Sequence, residues 1–100
     1  MYMRRDGVGS FEWDKGNIDK NYRKHGITPH EAEEIFLDEH SLTWEDPVHS
    51  KKEKRAIIVG VTSVGKVLFV VFTVRGASIR IISARVANKK ERRLYEEKNI

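Results

Sequence analysis

Hydrophobic and polar residues follow one another in short blocks along this chain, and each block predicts an element. Phe11-Glu12-Trp13 alternates and predicts a short edge strand. Asp14 can then cap a helix running to about Lys24, with Ile18 and Tyr22 four apart on one face and Gly26 as its stop. Thr28-Pro29-His30-Glu31 has the form of a capping box with proline at the first helical position, followed by an apolar stripe of Ala32, Ile35 and Phe36. Leu42 and Trp44 alternate with Thr43 and Glu45 and predict a strand from about Ser41. Asp46 to Lys54 is a charged loop. Arg55–Val61 and Lys66–Val74 are two strands joined by a turn at Ser63-Val64-Gly65; the second is apolar on both faces, which places it centrally in a sheet. Ser78–Arg85 adds another strand, and Asn88 with Glu91 repeats the capping signal before a charged helix to about Lys98, in which Leu94 and Tyr95 are the packing residues.

The order predicts an α+β domain, with two N-terminal helices and a C-terminal helix packed on an antiparallel meander sheet. Residues 1–10 show no periodicity and are expected to form a flexible leader, leaving a single domain over residues 11–100.

The hairpin around Gly76-Ala77 carries arginines that an apolar sheet does not need. A two-residue type II′ turn there sets Arg75 opposite Ser78 and Thr73 opposite Arg80. Arg75 and Arg80 then lie diagonally on one sheet face, roughly 7–8 Å apart at the backbone. Two like charges so placed are best accommodated by an anion between them. Strict alternation turns Arg85 to the opposite face unless a bulge intervenes.

Charge sharpens this picture. Residues 1–50 hold six Lys/Arg against eleven Asp/Glu, and residues 51–100 hold thirteen against four. The C-terminal half is therefore suited to an anionic partner, with nucleic acid the leading candidate, although solvation of a surface helix and turn also uses such charges. The chain has no cysteine, which removes disulfides, thiolate metal sites and thiol nucleophiles. Met1 to Asp6 is followed by no apolar h-region, and the longest apolar stretch, Val67 to Val74, is interrupted by Thr73 and far too short to span a bilayer. The expectation is a soluble cytoplasmic protein with no membrane partner. His25, His30, His40 and His49 fall in no ligand-spaced motif, so neither a metal nor a cofactor is expected.

Several segments together resemble a known family. Phe11-Glu12-Trp13-Asp14, Asn21-Tyr22-Arg23-Lys24-His25-Gly26-Ile27, Glu31-Ala32, Glu45-Asp46-Pro47-Val48-His49 and Arg80-Ile81-Ile82-Ser83-Ala84-Arg85, followed by Glu91-Arg92 and Tyr95, resemble the BrnT toxins of type II toxin–antitoxin systems over about residues 11–97. The resemblance implies a RelE-like fold and a ribonuclease that inhibits translation by cleaving RNA, and because RNA carries its own nucleophile the endoribonuclease is expected to be metal-independent. It also implies neutralisation by a BrnA-like ribbon-helix-helix antitoxin, through which alone the complex meets operator DNA. The alternative is a noncatalytic RNA- or protein-binding domain of the same fold.

RNA carries its own nucleophile, the 2′-hydroxyl, so cleavage needs a base, positive charge on the phosphate and an acid for the leaving oxygen. Arg75 and Arg80 are assigned to the phosphate, with Arg55 and Arg85 as further candidates. Arg80 has a second reading as an ion pair with a helix carboxylate such as Glu34 or Asp38. His25 either transfers a proton or caps the carbonyls at the end of its helix. His49 or Glu53 in the charged loop could transfer a proton, while Lys51, Lys52, Lys54 and Lys24 contact the RNA backbone or are simply solvated. Tyr95 serves as an acid, as a stacking partner or as a packing anchor. Trp13, Trp44 and Tyr22 are the rings available for stacking, and core burial accounts better for both tryptophans.

Overall fold

The computed structural model describes residues 10–13, 15–47 and 53–98. They form a five-stranded sheet of order β1-β5-β4-β3-β2, made of β1 (Ser10–Glu12), β2 (Leu42–Glu45), β3 (Ala56–Val61), β4 (Val67–Arg75) and β5 (Ser78–Val86). Two helices are of ordinary length, α1 (Lys15–His25) and α3 (Lys89–Lys98); the short α2 (Pro29–Glu34) passes at once into a 3-10 turn, Ile35–Leu37. Among the described residues no helix is long and apolar enough to cross a membrane.

Strands β2 to β5 run as the expected antiparallel meander. β1 does not. It pairs in parallel with β5, Ser10 beside Ser78 and Glu12 beside Arg80, so the sheet is mixed rather than wholly antiparallel. The connection leaving β1 passes through both N-terminal helices and enters the sheet at its far edge, which leaves the outer edge of β5 open for β1. Phe11 holds β1 there, its ring 5.4 Å from that of Phe36 and nearly edge-on. Ser10, expected in the leader, belongs to this strand and joins Ser78 through their hydroxyls at 2.7 Å.

The sheet is covered on both faces. On the first, Ile58, Leu68, Val70, Phe72, Ile79 and Ile81 pack against Ala32, Ile35 and Phe36 of α2 and its 3-10 turn. On the second, Val59, Val67 and Ala87 pack with Val61, Phe69 and Tyr95 of α3. The helices therefore do not share one layer, as a meander with a single covered side would have it. β3 and β4 are apolar on both sides, and each side needs cover.

The helix ends follow their sequence signals. The Thr28 hydroxyl accepts the Glu31 amide at 3.2 Å while the Glu31 carboxylate accepts the Thr28 amide at 3.0 Å. Asn88 and Glu91 make the same reciprocal pair at 2.8 and 2.9 Å. Gly26, at φ +68, ends α1 in the left-handed region that glycine adopts without strain.

Candidate functional site

The register of β4 and β5 contains one irregularity, between Val71 and Phe72, and it decides the geometry of the arginines. Val71 pairs with Ser83, yet the next residue, Phe72, pairs with Ile81, so Ile82 is absorbed in a bulge. Below it Thr73 faces Arg80 and Arg75 faces Ser78, the register that the hairpin sequence predicts; Gly76 lies at φ +60 and Ala77 has no positive φ. Above it Phe69 faces Arg85. Because the bulge consumes one residue, Arg85 returns to the face that carries Arg80. Arg75 reaches that face by alternation along β4. So does Arg55, whose carbonyl accepts the Asp46 amide at 2.8 Å and extends the ladder one residue below β3.

The second face thus reads in rows across the strands. Arg55, Thr73, Arg80 and Glu12 form one row, with Arg55 and Arg80 separated by two strand spacings, roughly 9–10 Å. Trp44, Ile57, Val71 and Ser83 form the next, and Leu42, Val59, Phe69 and Arg85 the one beyond. Thr73 is only 4% exposed and donates its hydroxyl to the Lys54 carbonyl at 2.7 Å, tying the end of the charged loop to the centre of the cationic row. A depression of about 300 Å³ at these strand ends is lined by residues of both faces, Trp44, Arg55 and Thr73 from the second and Thr43, Ala56 and Phe72 from the first.

The arginines differ in how they are held. Arg75 meets Glu53 at 3.2 Å in a half-exposed pair. Arg80 sits between Thr73 and Glu12. Glu34 and Asp38, the helix carboxylates considered for it, are engaged elsewhere: Glu34 accepts the Ser63 hydroxyl at 2.7 Å and Asp38 accepts the Tyr95 hydroxyl at 2.6 Å. Arg85 is firmly held. Its two terminal nitrogens donate to the two Glu91 oxygens at 2.8 Å each, and its guanidinium lies 4.0 Å from the centre of the Phe69 ring. Burial works against ionisation of Glu91, but the Arg85 hydrogen bonds, the Asn88 amide and the guanidinium charge outweigh it and hold the carboxyl below its usual range.

Tyr95 is likewise engaged. Burial, the hydrogen bond to Asp38 and the Asp38 charge raise its phenol far above the ordinary tyrosine range. Asp38 also accepts the Val61 and His40 amides at 3.0 and 2.9 Å, so Tyr95 joins α3 to the turn that follows α2. His25 is the exposed last residue of α1, with exposed Lys24 before it. Both belong to the segment between Trp13 and Ile27, residues that pack in the core of the first face. Lys54 is exposed. His49, Lys51 and Lys52 lie outside the described residues.

Sequence reasoning missed two features of this surface. Thr73 faces Arg80 as the hairpin predicts, but Glu12 flanks Arg80 from the other side through a parallel pairing that its residue type does not signal. Trp44, expected in the core, is 36% exposed on edge strand β2. Trp13 does meet the core, and donates its indole N–H to Glu33 at 2.7 Å.

A family model described as the ribonuclease toxin BrnT of type II toxin–antitoxin systems matches residues 13–91. The chain belongs to the BrnT family. Arg55, Arg75, Arg80 and Arg85 all fall inside the matched segment, as do Lys24, His25 and Glu91, whereas Tyr95 lies beyond it. The fold also resembles the crystal structure of the Brucella abortus ribonuclease toxin BrnT. That match has a TM-score of 0.60 and 23% identity, and covers 80% of this chain and 97% of that one. No curated protein matches the chain in sequence. BrnT membership makes this a ribonuclease toxin of a two-component system, with an antitoxin partner and RNA as substrate.

Proposed function

We propose that this BrnT protein is a metal-independent, RelE-like endoribonuclease that cleaves RNA in the cytoplasm, stops translation, and is neutralised by a BrnA-like ribbon-helix-helix antitoxin that alone contacts operator DNA. The observation that supports the reading is the sheet face shared by Arg55, Arg75 and Arg80, whose register positions neighbour the buried Thr73. Such an array suits a phosphodiester that gains charge in its transition state.

In this mechanism the RNA 2′-oxygen attacks the adjacent phosphorus, the bond to the 5′-oxygen breaks, and the products are a 2′,3′-cyclic phosphate and a free 5′-hydroxyl. Arg55, Arg75 and Arg80 hold the phosphate. Glu53, 3.2 Å from Arg75, stands beside them to accept the 2′-hydroxyl proton. His49, four positions earlier in the same loop, is the imidazole assigned to protonate the leaving oxygen, since His25 belongs to the segment packed on the opposite face of the sheet. Lys24, Lys51, Lys52 and Lys54 contact the RNA backbone. The Glu91 pairing of Arg85 and the Asp38 bond of Tyr95 support positioning roles for these two: they set α3 against the sheet and bound the site without touching RNA.

The noncatalytic reading draws on the pairing of Arg75 and Arg85 with glutamates, since a guanidinium with a partner need not serve a phosphate. Purified protein incubated with RNA in EDTA separates the two. Fragments ending in 2′,3′-cyclic phosphate support the enzyme; RNA retained intact supports the binder. Relief of growth arrest by the neighbouring small gene tests the antitoxin.

A further inference from the structure

Trp44 is a large aromatic that the fold leaves exposed on the face of the arginines. It occupies edge strand β2 on the face of the arginines and is 36% exposed. Among the described residues its indole N–H has no hydrogen-bond partner, in contrast to that of Trp13, which Glu33 accepts. A ring retained for packing would be expected to lie under cover. This one is instead held upright: it meets Phe69 edge-on, with centroids 6.5 Å apart and planes at 71°, and Phe69 is backed by the Arg85 guanidinium that Glu91 fixes. Exposed area, fixed orientation and an apolar neighbour are what a stacking platform needs.

Its surroundings state what can stack there. Trp44 pairs with Ile57, so Arg55 is its diagonal neighbour, roughly 7–8 Å away at the backbone. Apolar Ile57 and Val71 continue the row inward from Trp44, with the Arg55–Arg80 row on one side and Arg85 on the other. An occupant must place negative charge on the cationic rows and a flat apolar ring on the strip between them. A single strand of nucleic acid has both within one nucleotide.

We propose that Trp44 stacks a nucleobase next to the phosphate held by Arg55 and Arg80, so that the RNA strand crosses the sheet from the β2 edge toward β5. The inference rests on the ribonuclease reading for its choice of substrate, but its geometry concerns binding alone.

A mixed-sequence 2′-O-methyl oligonucleotide tests it, because the blocked nucleophile prevents cleavage. The chain has two tryptophans, and Trp13 lies on the opposite face with its indole N–H given to Glu33, so the Trp44 variants assign the signal. The oligonucleotide should quench the fluorescence of the native protein saturably. Trp44→Phe should bind equally by anisotropy yet lose the quenching, and Trp44→Ala should bind roughly tenfold more weakly. Anisotropy showing full binding with no quenching, or unchanged affinity in Trp44→Ala, overturns the platform, as does failure of the oligonucleotide to bind. Cleavage of ordinary RNA without quenching removes the platform and leaves the ribonuclease reading intact. Quenching without cleavage supports the platform and removes that reading.

Discussion

Arg85 and Glu91 face each other through two parallel hydrogen bonds of 2.8 Å, and the same glutamate caps α3 by accepting the Asn88 amide. One carboxylate thus joins the last strand to the last helix. Arg85→Ala or Glu91→Gln should each cost about 2 kcal/mol of folding stability, because a charge-assisted pair loses one member while the other stays partly buried. In a double-mutant cycle by urea denaturation the two losses should fall well short of adding.

The same carboxylate shapes the acid limb. Its pKa lies below the ordinary 4.5 in the folded state, so its contribution is complete above that value and is lost as pH falls through the depressed one. Glu31 behaves alike: the hydrogen bond from Lys66 at 2.8 Å is the largest cause of its lowering. Stability measured from pH 6 downward should decline from about pH 4.5, and Glu91→Gln should flatten that decline.

Removing Arg80, Arg75 or Arg55 singly should lower RNA cleavage by about 10²- to 10³-fold with little change in Tm, if each donates to the transition state. Arg85→Ala should instead lose stability and activity together. Comparing cleavage rates with melting temperatures across the four variants separates substrate contact from support.

Tyr95→Phe deletes the 2.6 Å bond to Asp38, whose carboxylate keeps the Val61 and His40 amides. The loss should be about 1 kcal/mol. Because the folded phenol ionises far later than a free one, this stability is present below about pH 10 and disappears as pH rises further. Difference absorbance on alkaline titration should show a delayed component in the native protein that the variant lacks.

Gly60 lies against the 3-10 turn. A methyl group there would meet the Ile35 Cβ at 3.0 Å and its carbonyl oxygen at 3.1 Å. Gly60→Ala should therefore destabilise by about 1–3 kcal/mol, read as a lower urea midpoint at unchanged slope.

Local chemistry was legible in the sequence. Thr28, Glu31, Asn88 and Glu91 cap the helices they were expected to cap, Gly76 makes the turn, and the apolar run Val67–Phe72 holds the middle of the sheet. What depended on nonlocal pairing was not. Nothing in Ser10–Glu12 states that it will lie parallel to a strand near residue 80, and nothing in Ile81-Ile82-Ser83 marks the bulge that swings Arg85 across, because both are settled by partners on other strands. Trp44 was misjudged for a related reason. Alternation shows that one side of β2 is apolar, but it is silent on whether another element covers that side.

The parallel seam between β1 and β5 also orders events in time. Ser10 and Glu12 emerge from the ribosome early yet must wait for Ser78 and Arg80 to be synthesised before the sheet can gain its fifth strand. Until then Glu12 cannot stand beside Arg80, and the cationic row lacks its outer boundary. A nascent toxin is therefore structurally unfinished until β5 has been made, long after β1 has left the ribosome.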